Sequence, residues 1–134
     1  ANWKDPDKIR ANIAEQEQRW LEKAALSPLT GRVLVTGLKE FGKDPTYLEG
    51  DERDILLDFW REIGIGVEFD LWHGHNLHEF DLRFIIRRSW FHQIPVPIHL
   101  IYAGRYVNDR RFIDTMKVFQ CGDRQDFVSL RDLA

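Results

Sequence analysis

A single cysteine is all this 134-residue chain contains, so Cys121 has no internal partner and no disulfide staples the fold. That scarcity suits a reducing compartment, and the expected location is the cytoplasm, of a bacterium or a phage-infected cell. Long apolar runs are also missing. Nothing approaches the roughly 20 residues of a membrane-spanning helix, and the first residues show no secretory h-region, so no membrane partner is expected. Positive charge is not in excess: 19 Lys and Arg against 22 Asp and Glu give a net charge of -3. That balance argues against gripping nucleic acid by bulk electrostatics and leaves room for no more than a local basic strip. Repeats and low-complexity tracts are absent. What remains, 43% hydrophobic residues with five Trp and nine Phe and 31% charged residues, describes one globular domain with an aromatic-rich interior.

Periodicity places the elements. Asp5 followed by Pro6 is an N-cap and first-turn pair, and Ile9, Ile13, Trp20 and Ala24 recur at helical spacing until Pro28 and Gly31 stop the helix. RVLVTGL, 32–38, reads as a buried strand, with a weaker strand near Tyr47 and Leu48. Gly50-Asp51-Glu52 opens a helix with Ile55, Leu56, Phe59, Trp60 and Ile63 on one face and Gly64 just past its end. GVEFDLWHG, 66–74, alternates as a strand does. From Phe80 through Trp90 a further helix is predicted, with Phe80, Phe84 and Ile85 apolar, Arg83, Arg87 and Arg88 on other faces, and Asp81 in the first turn. Ile98–Tyr102 and RRFIDTM, 110–116, read as short strands, and Ser129 caps a last helix. The alternation implies an α/β sheet with partly parallel strands.

The chemistry concentrates in WHGHNLHEFD, 72–81, which holds three of the five histidines. His73-x-His75-x-x-His78 invites comparison with the H-x-H-x-D-H run of metallo-β-lactamase-like hydrolases, where alternate imidazoles share a Zn²⁺. Leu77 stands where that run has its Asp, and downstream there are only His92 and His99. A zinc hydrolase is therefore the third reading.

From Asn76 the same segment is N-x-x-x-F-D: Asn76, Phe80, Asp81, followed by LRFIIRRS. This closely resembles the second exonuclease motif of DnaQ-like 3′-5′ exonucleases, particularly those related to family B DNA polymerase proofreading domains and their phage relatives. LTGRVLVTGL resembles that family's second strand, DERDILLDFW its first core helix, and RFIDTM the strand after the motif helix. The resemblance implies one domain over 1–134, with an N-terminal helical insertion over 1–28 and a ribonuclease H-like mixed sheet flanked by helices over 29–134. It implies two Mg²⁺ or Mn²⁺ ions held by four carboxylates, hydrolysing phosphodiester bonds at DNA 3′ ends. Asp81 would be catalytic and a metal ligand. Asn76, Phe80, His75 and Arg88 would contact single-stranded DNA, with Phe80 as a wedge at the terminal nucleotides. Arg83, Arg87 and Arg88, with Arg105, Arg110 and Arg111, read either as a phosphate-facing strip or as a solvated helix face plus a turn.

Two of the family's three motifs are missing. No D-x-E occurs anywhere, and Tyr47-x-x-x-Asp51, the one string matching the third motif, precedes the second. The expected sheet therefore lacks its central first strand and has open edges that invite self-association or completion by another segment of the same protein. Ala1 in place of Met and the abrupt end at Ala134 point to an internal piece of a longer exonuclease, inactive alone. The alternative is a non-catalytic module of the same fold that binds nucleic acid or a polymerase.

Overall fold

The computed structural model describes residues 5–64, 71–96 and 112–133. It is a mixed α/β chain in the order α1 (Pro6–Ala24), β1 (Val35–Leu38), β2 (Thr46–Glu49), α2 (Glu52–Glu62), β3 (Trp72–Gly74), α3 (Asp81–Phe91), β4 (Phe112–Asp114), α4 (Thr115–Gln120) and α5 (Leu130–Leu133). Most of the strand expected over 66–74 and all of Ile98–Tyr102 lie outside the described residues. Among the described residues no helix is long and apolar enough to cross a membrane.

The chain divides into two compact units, Ala1–Arg32 and Val33–Ala134. In the first, the Asp5 side chain accepts the Asp7 N–H at 3.1 Å and Pro6 opens α1, as the capping pattern predicts. Side-chain bonds one turn apart, Arg19 to Glu15 at 2.6 Å and Gln16 to Asn12 at 2.9 Å, brace its solvated surface. No residue of α1 is buried: Ile9, Ile13, Trp20 and Leu21 all face solvent. The following turn closes on Gly31, where a Cβ would lie 2.4 Å from the Ala25 carbonyl oxygen. Only glycine fits there.

In the second unit β1 and β2 form an antiparallel pair, Val35 opposite Glu49 through Leu38 opposite Thr46. The expected buried strand over 32–38 is thus shorter and half exposed: Leu34 and Val35 are 65% and 51% accessible, while Leu38 and Leu48 turn inward. A two-stranded sheet has one face to give to a core, so alternate residues must face water. β3 and β4 make a second, parallel pair, Trp72 opposite Phe112 through Gly74 opposite Asp114. The two pairs are separate sheets among the described residues.

The core lies where α2 and α3 meet. Leu56, Phe59, Trp60 and Ile63 of the α2 face, including its C-cap, pack with Leu82, Ile85 and Ile86 of α3, with Ile94 and with Phe112. The predicted α2 face is buried as expected, and Gly64 follows it at φ 59°, donating to Arg61 at 3.1 Å. The buried face of α3 differs from the expectation. It holds Leu82, Ile85, Ile86 and Ser89, spaced i, i+3, i+4, i+7, together with Arg88, whereas Phe80 and Phe84 pair with each other at its side, centroids 5.9 Å apart. At its end Ile94 N–H reaches Ser89 and Gln93 N–H reaches Trp90, with Gln93 at φ 56°, a Schellman closure in which Gln takes the usual place of Gly.

One polar chain crosses this core. Trp60 Nε1–H donates to Ser89 Oγ at 2.9 Å, and Ser89 Oγ–H donates to the Ile85 carbonyl at 2.8 Å. Both side chains are almost wholly enclosed. Replacing Ser89 by Ala strands the indole N–H, so S89A should lose about 1–3 kcal/mol in urea unfolding. S89T, which keeps the hydroxyl, should retain the Trp60 bond and its protected indole resonance.

Candidate functional site

The WHGHNLHEFD segment runs off the end of β3 into a turn and then into α3, and the residue that holds it comes from β4. Asp114, 3% exposed, accepts N–H bonds from Asn76 at 2.8 Å, His78 at 3.0 Å and Met116 at 3.0 Å. The last of these caps α4, a helix that the sequence reading did not foresee. Asn76 sits at φ 57°, a left-handed conformation that Asn tolerates better than most residues. Leu77 folds back over Gly74, where an added Cβ would meet it at 3.0 Å.

Of the three clustered histidines, two brace this turn. His75 Nε2 lies 2.7 Å from the Val128 carbonyl, which can only accept, so Nε2 carries a proton. Its Nδ1 lies 2.9 Å from the Thr115 hydroxyl, itself 3.3 Å from the Gly74 carbonyl. His78 Nε2 is 3.2 Å from the Phe112 carbonyl, and its Nδ1 is enclosed with no hydrogen-bond partner. His73 is exposed. Both ring nitrogens of His75 are thus engaged within the protein. Among the described residues no group of three or more His, Cys, Asp or Glu side chains could hold a metal ion.

Asp81 is the first residue of α3, and Phe80, the N-cap, supplies no side-chain cap. The surrounding protein displaces water from the Asp81 carboxyl and, with the negative charge of Asp114 nearby, raises its proton affinity against the lowering effect of its own N–H. The residue nonetheless keeps an exposed surface, as does Phe80 at 39%. Asp81, Asn76, Phe80 and His75 therefore lie within one short segment at the carboxyl ends of the parallel strands. Around it Arg83 pairs with Glu79 at 3.0 Å, Lys117 approaches the same carboxylate at 3.8 Å, and Arg87 is exposed. Arg105, Arg110 and Arg111 lie outside the described residues.

Arg88 corrects the expectation placed on it. Its guanidinium does not face a phosphate but is buried between α2 and α3, where Nε donates to Glu52 Oε1 at 2.8 Å and Nη2 to Oε2, and it lies 4.3 Å over the Phe91 ring. Glu52 also accepts the Val33 N–H at 2.7 Å, and His92 Nε2 stands 2.6 Å from it. The side chains of Arg88 and Glu52 are 7% and 9% exposed. Position 88 falls on the core stripe of α3, three residues after Ile85, so an arginine there is drawn in and needs a carboxylate. Burial pushes the Glu52 carboxyl up, but bonds from Arg88, His92 and Val33 and the Arg88 charge outweigh it and hold it down at about 2. The same carboxylate pushes Arg88 up against the effect of burial.

Glu52, His92, Asp114 and Thr115 were not singled out from sequence. Asp114-Thr115 after the apolar pair Phe112-Ile113 was a legible N-cap, the signal of a strand passing into a helix. Nothing local marks Glu52 as more than a first-turn acid, since its partners lie far along the chain.

The chain is 28% identical over 86 residues to an uncharacterized protein of Methanocaldococcus jannaschii, a match covering 63% of this chain and 47% of that one. The chain thus spans about half the length of the archaeal relative. No family model matches the sequence, and no solved structure matches it.

The Glu52 carboxyl sets an acid limit. Its folded value lies below the ordinary 4.5, so its contribution is complete above that value and is lost as pH falls toward about 2. The loss should be on the order of 3 kcal/mol. Urea unfolding of the wild type between pH 5 and pH 2 should show a steep decline, whereas E52Q should start less stable and decline less.

Proposed function

We propose that this chain is part of a DnaQ-like 3′-5′ exonuclease with a ribonuclease H-like sheet, acting on single-stranded DNA 3′ ends, with Asp81 as one of its metal-binding carboxylates. The observation that carries this reading is the setting of Asp81: it opens α3 directly after the carboxyl end of β3, one of two parallel strands, beside an exposed Phe80. Open α/β sheets bind ligands at that end of their strands. A helix N-terminus favours an anion there, and burial beside Asp114 makes the carboxyl a place where a cation would be welcome.

The strand arrangement supports the same reading. An antiparallel pair, a helix, a strand, a helix and a parallel strand follow one another in the order expected of a ribonuclease H-like fold whose central first strand is supplied from elsewhere. The residues described do not by themselves fit a two-ion site. Mg²⁺ and Mn²⁺ require several oxygen ligands, the Asp114 oxygens already accept three peptide N–H groups, and Asp81 alone is one carboxylate. The proposal therefore assigns the other carboxylates to segments outside these 134 residues, in the D-x-E and Y-x-x-x-D motifs of the family.

In the full-length protein that carries this sequence, D81A should lower Mg²⁺- or Mn²⁺-dependent shortening of 5′-labelled single-stranded DNA by about 100-fold or more, with unchanged thermal unfolding. Wild-type rates in that variant would overturn the assignment of Asp81. A full-length protein that binds the DNA but never shortens it would favour the non-catalytic module. F80A, at a partly exposed position, should weaken DNA binding by about 1–3 kcal/mol, as removal of a base-stacking ring does.

A further inference from the structure

A long-range constraint on the site comes from β4. The Asp114 carboxylate is buried, yet no Lys, Arg or His side chain among the described residues pairs with it; three peptide N–H groups meet it instead. Two of them, those of Asn76 and His78, belong to the turn that leads into α3. The carbonyls of that turn in turn receive the amides that begin the helix, Phe80 N–H on Asn76 at 3.0 Å and Leu82 N–H on Leu77 at 3.0 Å. Since α3 has no side-chain cap of its own, this turn does the work of one. A buried carboxylate is tolerable only while its donors stay in place, and one of them is the N–H of the left-handed Asn76.

We propose that Asp114 is a positioning residue for Asp81, locking the Asn76–Phe80 turn and through it the first turn of α3, so that Asp81 and Phe80 are presented together to a substrate. The nature of that substrate rests on the exonuclease reading; the lock does not. Asp114 stands 38 residues from Asn76 in sequence, so this role joins the end of one parallel strand to the loop of the other.

Amide hydrogen exchange and backbone chemical shifts in the full-length protein test it, using D114A and D114N. D114A should speed exchange at Asn76 and His78 by about tenfold or more and move the Asp81 amide resonance, while the amides of Phe59 and Trp60 in α2 keep their protection. D114N retains one oxygen, so it should release fewer of the three donors and fall between. In the cleavage assay kcat should fall about 10- to 100-fold in D114A, with KM changed by less than about threefold, and D114N should recover part of the loss. Wild-type exchange at Asn76 and His78, an unmoved Asp81 resonance, or equal loosening of α2 would each overturn the proposal. So would full cleavage in a variant whose turn has loosened. Local loosening with a displaced Asp81, in a protein whose wild type never cleaves DNA, would uphold the lock and remove the exonuclease reading.

Discussion

The second compact unit depends on one carboxylate. Glu52 stands at the first turn of α2 and accepts from the backbone ahead of β1 and from Arg88, with His92 at 2.6 Å, so one side chain joins the hairpin, α2 and α3. A buried ion pair returns its desolvation only when its hydrogen bonds are nearly complete, and this one is supplied on both oxygens. Apolar packing between α2 and α3 fixes how close the helices come. The Glu52 bonds fix their rotation and register, because a guanidinium fork fits a carboxylate in few orientations.

The molecule handles its acids in three ways. Glu52 is enclosed and met by side-chain donors of Arg88 in α3 and His92 at its C-cap, and Asp114 is enclosed and met by peptide N–H groups. Asp81 is crowded by protein, pushed toward protonation by Asp114, and still open to solvent. The first two need nothing from outside. Of the three, only Asp81 is left in a state that an external cation would relieve.

Patterns with a short period were legible in the sequence. The α2 face, the Asp5 and Ser129 caps, with Ser129 Oγ accepting Asp132 N–H at 3.2 Å, and the Gly64 stop all depend on residues within a few positions of one another. On α3 the aromatics Phe80 and Phe84 suggest a face beside the one that Leu82 and Ile86 occupy. Arg88 was read as a surface charge because its partner lies 36 positions away. The Asp114 bonds to Asn76 and His78 were invisible for the same reason. Periodicity reports which face of an element is apolar, and says nothing of which distant acid comes to meet a charge on it.

The parallel pairing of β3 and β4 bears on the order in which the chain assembles. A hairpin such as β1–β2 closes over a short loop, but Gly74 meets Asp114 across 40 positions and His75 meets Val128 across 53, so each contact joins segments far apart along the chain. Closing such a stretch costs entropy before any of these bonds forms, and contacts of that span are slow to form. The turn that carries Asp81 is thus held, like the α2–α3 pair, by contacts whose entropic cost falls before their reward.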